Sequence, residues 1–183
     1  RLFGELRDTP LKILLMSATL NGEALCAFLD DAPLLSSEGR QYPVTLHYQR
    51  QPARGRQGAK DIVTEVCAAV QAACNVHAGS LLVFLSGQGE IRRCAAQLEG
   101  QLDASTDIAP LYGNLSLDAQ RLAIAASPEG RRKVVLATNI AESSLTIDGI
   151  EVVIDSGLER RMSFDPRSAT SRLATQRISA ASA

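Results

Sequence analysis

Histidine is scarce in this chain: only His47 and His77 occur, too little material for a His-centred hydrolytic triad. The four cysteines, Cys26, Cys67, Cys74 and Cys94, contain no C-x-x-C pair. Cys74 and His77 have the C-x-x-H spacing of half a zinc site, but no second half follows, so no metal is expected. A disulfide framework is out of keeping with so much aliphatic core. The cysteines therefore read as buried free thiols in a reducing cytoplasm. Long apolar runs are missing too. None approaches the roughly 18 residues that span a bilayer, and no basic-then-apolar leader opens the chain, so no membrane partner is expected. There is no initiator Met, and the start at Arg1-Leu2-Phe3 is mid-pattern, as in a piece of a longer protein.

What is present suits a packed α/β domain. Hydrophobic residues make up 45% and charged residues 21% of 183 positions, which allows one domain, or one domain plus a fragment of another. The net charge of −1 hides local clusters. Arg50, Arg54, Arg56 and Lys60 lie together without an acid, and five arginines after Ser156 face only Glu159 and Asp165. Sixteen of the 19 cations are Arg, whose planar fork grips phosphate.

Strand and helix patterns alternate. Leu11 to Met16 reads as a strand ending in Ser17-Ala18-Thr19, followed by a short helix from Gly22 to Leu29. An extended connector runs to Gln49 with an alternating strand at Val44–Tyr48, and the basic stretch from Arg50 to Ala59 is a loop. Ile62, Val66, Val70 and Ala73 mark an amphipathic helix, and Ile91, Cys94, Ala95, Leu98 and Leu102 another. Ser116 is placed to cap a third, reaching about Ala126. Ser80–Leu85, Lys133–Ala137 and Glu151–Asp155 read as buried strands, and Asp107–Tyr112 as a short one in which Pro110 points to a strand end. Two Arg-rich strands near 158–164 and 171–178 form a β-hairpin. The fold class is α/β: a parallel sheet flanked by helices, with a hairpin near the C-terminus.

Ligands of such sheets collect at the carboxyl ends of the strands. The residues there are small, hydroxylated or Gly-bearing: Ser17-Ala18-Thr19, Ser86-Gly87-Gln88-Gly89, Tyr112-Gly113-Asn114 and Thr138-Asn139 onward to Ser143-Ser144. Such loops let a polyanion approach backbone N–H donors, and with two Arg clusters beside them they favour a phosphate-rich ligand.

The wording of these loops closely resembles the RecA-like core of DEAH-box helicases, superfamily 2 ATP-dependent RNA helicases. Ser17-Ala18-Thr19 is similar to the family's S-A-T coupling motif, Phe84 to Ile91 to its F-L-x-G-Q-x-E-I segment, and Pro110 to Leu115 to its P-L-Y-G-x-L segment. Ala137 to Ile150 resembles A-T-N-I-A-E-T-S-L-T-I-D-G-I over fourteen positions, departing only at Ser143, which keeps a hydroxyl. Glu159-Arg160, Phe164 to Ser168 and Gln176 to Ser179 look most like the bacterial HrpB-type branch.

That resemblance implies a division of the chain. Residues 1–32 would be the end of a first RecA-like lobe, 33–49 a linker, and 50–183 a second lobe that stops before a Q-R-x-G-R-A-G-R motif. Ser17, Ala18 and Thr19 would couple nucleotide state to lobe closure. Ser144, Thr146 and Asp148 would face the nucleotide. Ser86, Gly87, Gly113, Thr138 and Asn139 would lie along single-stranded RNA, with Arg160 and Arg161 on a strand-separating hairpin. Ile124 stands near where many members carry an aromatic that stacks on adenine, and it offers no stacking face. The phosphate-binding loop, the D-E-A-H carboxylates and the arginine fingers are not in this sequence. The chain thus has no catalytic residue of its own. ATP and Mg2+ would belong to the full-length parent, whose first lobe and C-terminal domains would be its partners. Two other readings fit the same residues: a non-catalytic RNA-binding or scaffolding module, and a DNA helicase of the same superfamily.

Overall fold

The computed structural model describes residues 14–16, 26–29, 32–36, 42–48, 61–142, 146–165 and 170–179. The chain forms two compact units, Arg1–Arg50 and Gln51–Ala183. In the first, residues 26–28 form one helical turn, closed by Leu29 N–H on the Cys26 carbonyl at 3.0 Å. Leu14 to Met16 and Val44 to Tyr48, expected as strands, are not in strands, and Leu14, Met16, Val44, Leu46 and Tyr48 are exposed. Alternating side chains supply a face, but a strand also needs a neighbour to complete its hydrogen-bond ladder. Among the described residues neither segment is paired in a ladder.

The second unit carries α1 (Ile62–Val76), β1 (Ser80–Phe84), α2 (Gln88–Leu98), β2 (Thr106–Leu111), α3 (Leu117–Ile124), β3 (Arg132–Ala137), a short 3-10 turn (Asn139–Ala141), β4 (Ile150–Asp155), β5 (Leu158–Asp165) and β6 (Thr170–Arg177). The first four strands make a sheet of order β2-β3-β1-β4, all neighbours parallel. The last two pair antiparallel as a separate hairpin.

Burial sorts the layers. Val63, Val66, Cys67 and Val70 of α1, with Ile91, Cys94 and Leu98 of α2, pack against Leu81, Val83, Val134 and Leu136 on one face of the sheet. On the other face Ala123 of α3 packs with Leu111, Val135, Ala137, Ala141 and Ile147. Residues of both periods meet here: every fourth position of a helix and every second of a strand. Cys67 and Cys94 are free thiols in this core, their sulfurs 3.4 Å apart, and burial pushes both above the ordinary cysteine value.

One burial pattern and two helix ends differ from the expectations of the sequence. The run Glu151–Asp155 predicts a buried strand, but β4 is half-buried in alternation, with Val153 exposed. It is an edge strand: Val152 and Ile154 pack on the core shared with α1, and Ile150 on the second cluster. The second helix ends at Leu98, where Gly100 turns at φ +74, so Leu102 reaches the core from the turn. The third ends at Ile124; its Ser116 cap is in place, the hydroxyl accepting from Ala119 N–H at 3.3 Å. Pro110 sits on the other edge strand, where a missing N–H costs least. No helix among the described residues is long and apolar enough to cross a membrane.

Candidate nucleic-acid interface

The sheet register brings the strand ends level. Leu111 pairs with Ala137, Ala137 with Phe84, and Phe84 with Asp155, so β2, β3, β1 and β4 finish in one line. The ladder then continues by one residue. Thr138 N–H donates to the Leu111 carbonyl (3.2 Å), Leu85 N–H to Ala137 (2.9 Å) and Ser156 N–H to Phe84 (3.1 Å). Each loop is thereby stitched to its neighbour as it leaves the sheet. Across this edge the order is Gly113, then Thr138 and Asn139, then Ser86 and Gly87, so five of the expected RNA-facing residues are brought together.

Their exposure differs. Asn139 and Gly113 are exposed, Thr138 is half-buried, and Ser86 and Gly87 are buried. Thr138 is extended, and its carbonyl accepts from Ala141 N–H at 3.2 Å, which turns the chain immediately after the strand. A Cβ on Gly113 would meet only Ile140 Cδ1 at 4.0 Å, so the space above it is open to a ligand. Gly87 differs: a Cβ there would lie 3.2 Å from Arg160 Cδ, Nε and Cζ. Gly87 also caps α2 with no side-chain bond, leaving first-turn amides free of a cap.

Arg160 is already engaged. Besides covering Gly87, its guanidinium pairs with Glu90 at 3.5 Å. Arg161 follows it on β5 and so projects from the opposite face of the hairpin, exposed and opposite Ala174. The two arginines cannot grip one ligand from the same face. Where the hairpin meets the sheet edge, a cavity of about 40 Å³ is lined by Leu85, Ser86, Asn139, Asp155, Glu159 and Arg160, with Glu142 beside them. That is room for about one water, and three of its wall groups are carboxylates.

The expected nucleotide residues lie elsewhere. From Thr138 the chain returns along the sheet through Ala141 and Ile147, both buried, to the amino end of β4. There Thr146 and Asp148 are exposed, flanking Ile147. Asp148 lies close enough to Lys133, at the start of β3, to favour its charge, while burial pushes the Lys133 ammonium down more strongly. Lys133 itself caps α3, donating to the carbonyls of Ala123 (2.7 Å) and Ala125. Ile124 packs inward on the second core cluster. The Thr146 hydroxyl and the Asp148 carboxylate are exposed groups able to hydrogen-bond a ligand. Ser17, Ala18, Thr19 and Ser144 lie outside the described residues.

Sequence reasoning missed the Tyr112 hydroxyl. It follows β2 directly and is held by hydrogen bonds with Gln88 and then Arg92, which keep it below the ordinary tyrosine value. The i, i+4 spacing of Gln88 and Arg92 on α2 was the available signal.

The pattern of the helicase conserved C-terminal domain matches residues 60–179 of this chain, which takes in the whole sheet and the hairpin. The chain belongs to that family. Among curated proteins it is 49% identical over 177 residues to the ATP-dependent RNA helicase HrpB of Escherichia coli (strain K12), covering 97% of this chain and 21% of the relative. It is 39% identical over 181 residues to the probable ATP-dependent RNA helicase DHX34 of Mus musculus, covering 94% and 16%. A crystal structure of the E. coli DExH-box NTPase HrpB superposes with a TM-score of 0.82 at 48% identity, over 97% of this chain and 21% of that one. A second, of the Escherichia coli DEAH/RHA helicase HrpB, gives 0.80 at 48% identity, over 91% and 21%. The chain therefore spans about a fifth of the length of these HrpB relatives. As a helicase C-terminal domain it has the RecA-like fold: a parallel sheet between helices, followed by an antiparallel hairpin.

Proposed function

We propose that this domain is the second RecA-like lobe of a bacterial DEAH-box, HrpB-type ATP-dependent RNA helicase, and that its carboxyl edge carries single-stranded RNA. In this reading residues 1–32 end the first lobe, 33–49 link the lobes, and the parent enzyme works in the cytoplasm, in keeping with the free thiols at Cys67 and Cys94. One observation carries the proposal: the stitched edge that sets Gly113, Thr138, Asn139, Ser86 and Gly87 in line, in a chain of this family. Small residues there expose backbone donors to phosphates, which position a strand without reading its bases.

The same reading divides the site by function. The segment from Thr138 to Asp148 runs from the RNA edge to the opposite end of the sheet, so one short connection touches both the strand path and the nucleotide wall. ATP with Mg2+ would supply the phosphoryl-transfer chemistry in the parent. In this chain Thr146 and Asp148 would hold the ribose side, and Ser144 joins them in the proposal. Ser17, Ala18 and Thr19 keep the coupling role, and Arg160 and Arg161 the hairpin role, as parts of the same proposal.

The test is fluorescence anisotropy of labelled single-stranded RNA with the 183-residue chain across a salt series. Binding should be weak, on the order of 10⁻⁴ to 10⁻⁶ M, and should fall with salt at a log–log slope of roughly −0.7 per phosphate. Thr138→Ala should weaken it for every sequence alike. Absence of binding at low salt, or indifference to Thr138→Ala, removes the assignment. Equal affinity for single-stranded DNA would replace RNA with nucleic acid in general, because phosphate contacts do not report the 2′-OH.

A further inference from the structure

Off the hairpin, where Arg161, Arg172 and Arg177 are exposed with no carboxylate within 4.0 Å among the described residues, the arginines of the lobe are nearly all paired. Arg93 pairs with Asp61 and Glu90, Arg121 with Asp118, Arg131 with Asp107, Arg132 with Asp103, and Arg160 with Glu90. Arg92 is exposed and, among the described residues, has no carboxylate within 4.0 Å. Its neighbours fix where it points. Gln88 and Arg92 lie one turn apart on α2, hence on one face of a helix that packs against β2, and as donors both hold the Tyr112 hydroxyl below the ordinary tyrosine value. Tyr112 is the first residue beyond β2 and adjoins Gly113, so this guanidinium stands at the carboxyl edge, beside the Thr138 loop that is bonded to Leu111.

The edge is also electrically uneven. Its β4 end carries the carboxylates of Glu142, Asp155 and Glu159 around the small cavity, which repel a polyanion. Its β2 end carries Tyr112, Gln88 and Arg92. A phosphate chain crossing this edge is favoured toward β2, and a guanidinium that gives one N–H to a phenol oxygen keeps others for a phosphate.

We propose that Arg92 is a phosphate-binding residue of the carboxyl edge, aimed by Tyr112 and Gln88, and that at the β2 end of that edge it supplies a free cation, which Arg160, held by Glu90, does not. The inference rests on the single-stranded RNA reading above and adds a residue and a strand path to it.

The measurement is the salt slope of RNA binding by the 183-residue chain, with oligo-uridylate as the probe. Arg92→Gln should lower the slope by roughly 0.7, the share of one phosphate on a single strand, and weaken binding at low salt. Tyr112→Phe, which keeps the ring and removes the hydroxyl, should lower it by less. Arg131→Gln, at the opposite edge of the sheet and paired with Asp107, should leave it unchanged. Wild-type slopes in both Arg92→Gln and Tyr112→Phe, while Thr138→Ala still weakens binding, would overturn the role of Arg92 and leave the RNA assignment standing. A slope lowered equally by Arg131→Gln would show only a general charge effect and would also overturn it. Failure of the unaltered chain to bind at low salt would take both proposals down.

Discussion

The strands of the hairpin are longer than those of the sheet, eight residues each against five or six, yet they bury far less. β3 has five buried residues in succession, whereas every described residue of β6 is exposed except Ala174, which is half-buried. Length of pairing therefore does not measure how firmly an element is held. The sheet is held by two helix layers packed on aliphatic side chains. The hairpin is held by its own ladder, by Ile178 N–H on the Gly157 carbonyl at 3.1 Å, and by the Arg160–Glu90 contact. One region is stabilised by burial and the other by a glycine turn and an ion-pair tether.

The largest test of that contrast is a matched truncation. Leu136→Ala removes a fully buried side chain of β3 and should cost about 2–5 kcal/mol in urea unfolding, whereas Leu173→Ala, 65% exposed on β6, should stay within about 0.5 kcal/mol. Equal losses would mean that the hairpin face is covered in solution.

A second pair of substitutions probes the glycine turn against a helix. Gly157 opens the hairpin at φ +69, a conformation that costs a side-chain-bearing residue about 1–2 kcal/mol, so Gly157→Ala should lower the unfolding free energy by that amount. Gly89 lies within α2, and a methyl added there would project into open space, so Gly89→Ala should raise stability by about 0.4–1 kcal/mol.

The tether should matter less to global stability and more to local opening. Arg160→Ala should change the unfolding free energy by under about 1 kcal/mol, because the pair is partly exposed. Amide exchange should nevertheless quicken across β5 and β6 and stay unchanged in β1 and β3. Quickening in all four strands would show that the hairpin and the sheet open together.

The smallest effect concerns acid. The Arg131 hydrogen bond holds Asp107 below its ordinary carboxylate value of 3.8, against the opposing effect of desolvation. A depressed folded value means that the carboxylate stabilises the fold above 3.8 and that this contribution fades as pH falls through the lower folded value. Melting midpoints of Asp107→Asn should therefore fall less steeply than those of the unaltered chain just below that pH. Parallel curves would show the pair to be thermodynamically silent.

What could be read from the residues follows the same division. β1 and β3 were legible because a short apolar run between breakers, too short for a helix, is what a strand covered on both faces looks like. β4 has a similar run, Val152-Val153-Ile154, but its place at the edge comes from the order of strands, which no single strand encodes. Residues 14–16 and 44–48 are not in strands for a related reason: hydrophobic pattern describes one face and says nothing of a partner. At the site, Thr138, Gly113 and Ser86 were legible because loops after parallel strands share one edge. The pairing of Arg160 with Glu90 was not, since it joins residues far apart in sequence through a hairpin whose docking no local pattern records. Nor was the free charge of Arg92, which emerges only once its neighbour Arg93 is seen to pair with Asp61 and Glu90 and Arg160 with Glu90.

The level strand ends set a rule for which lengths of chain can vary. Thr138, Leu85 and Ser156 are each bonded to the last residue of a neighbouring strand, so their alignment is a count of residues along three strands. One residue inserted into β3 would carry Thr138 about 3.3 Å past Leu111 and turn each later side chain to the opposite face. Residues added between α2 and β2, at the other end of the sheet, would leave the count untouched. Insertions should therefore be tolerated in that connection and rejected inside β1 and β3, whatever the identity of the inserted residue.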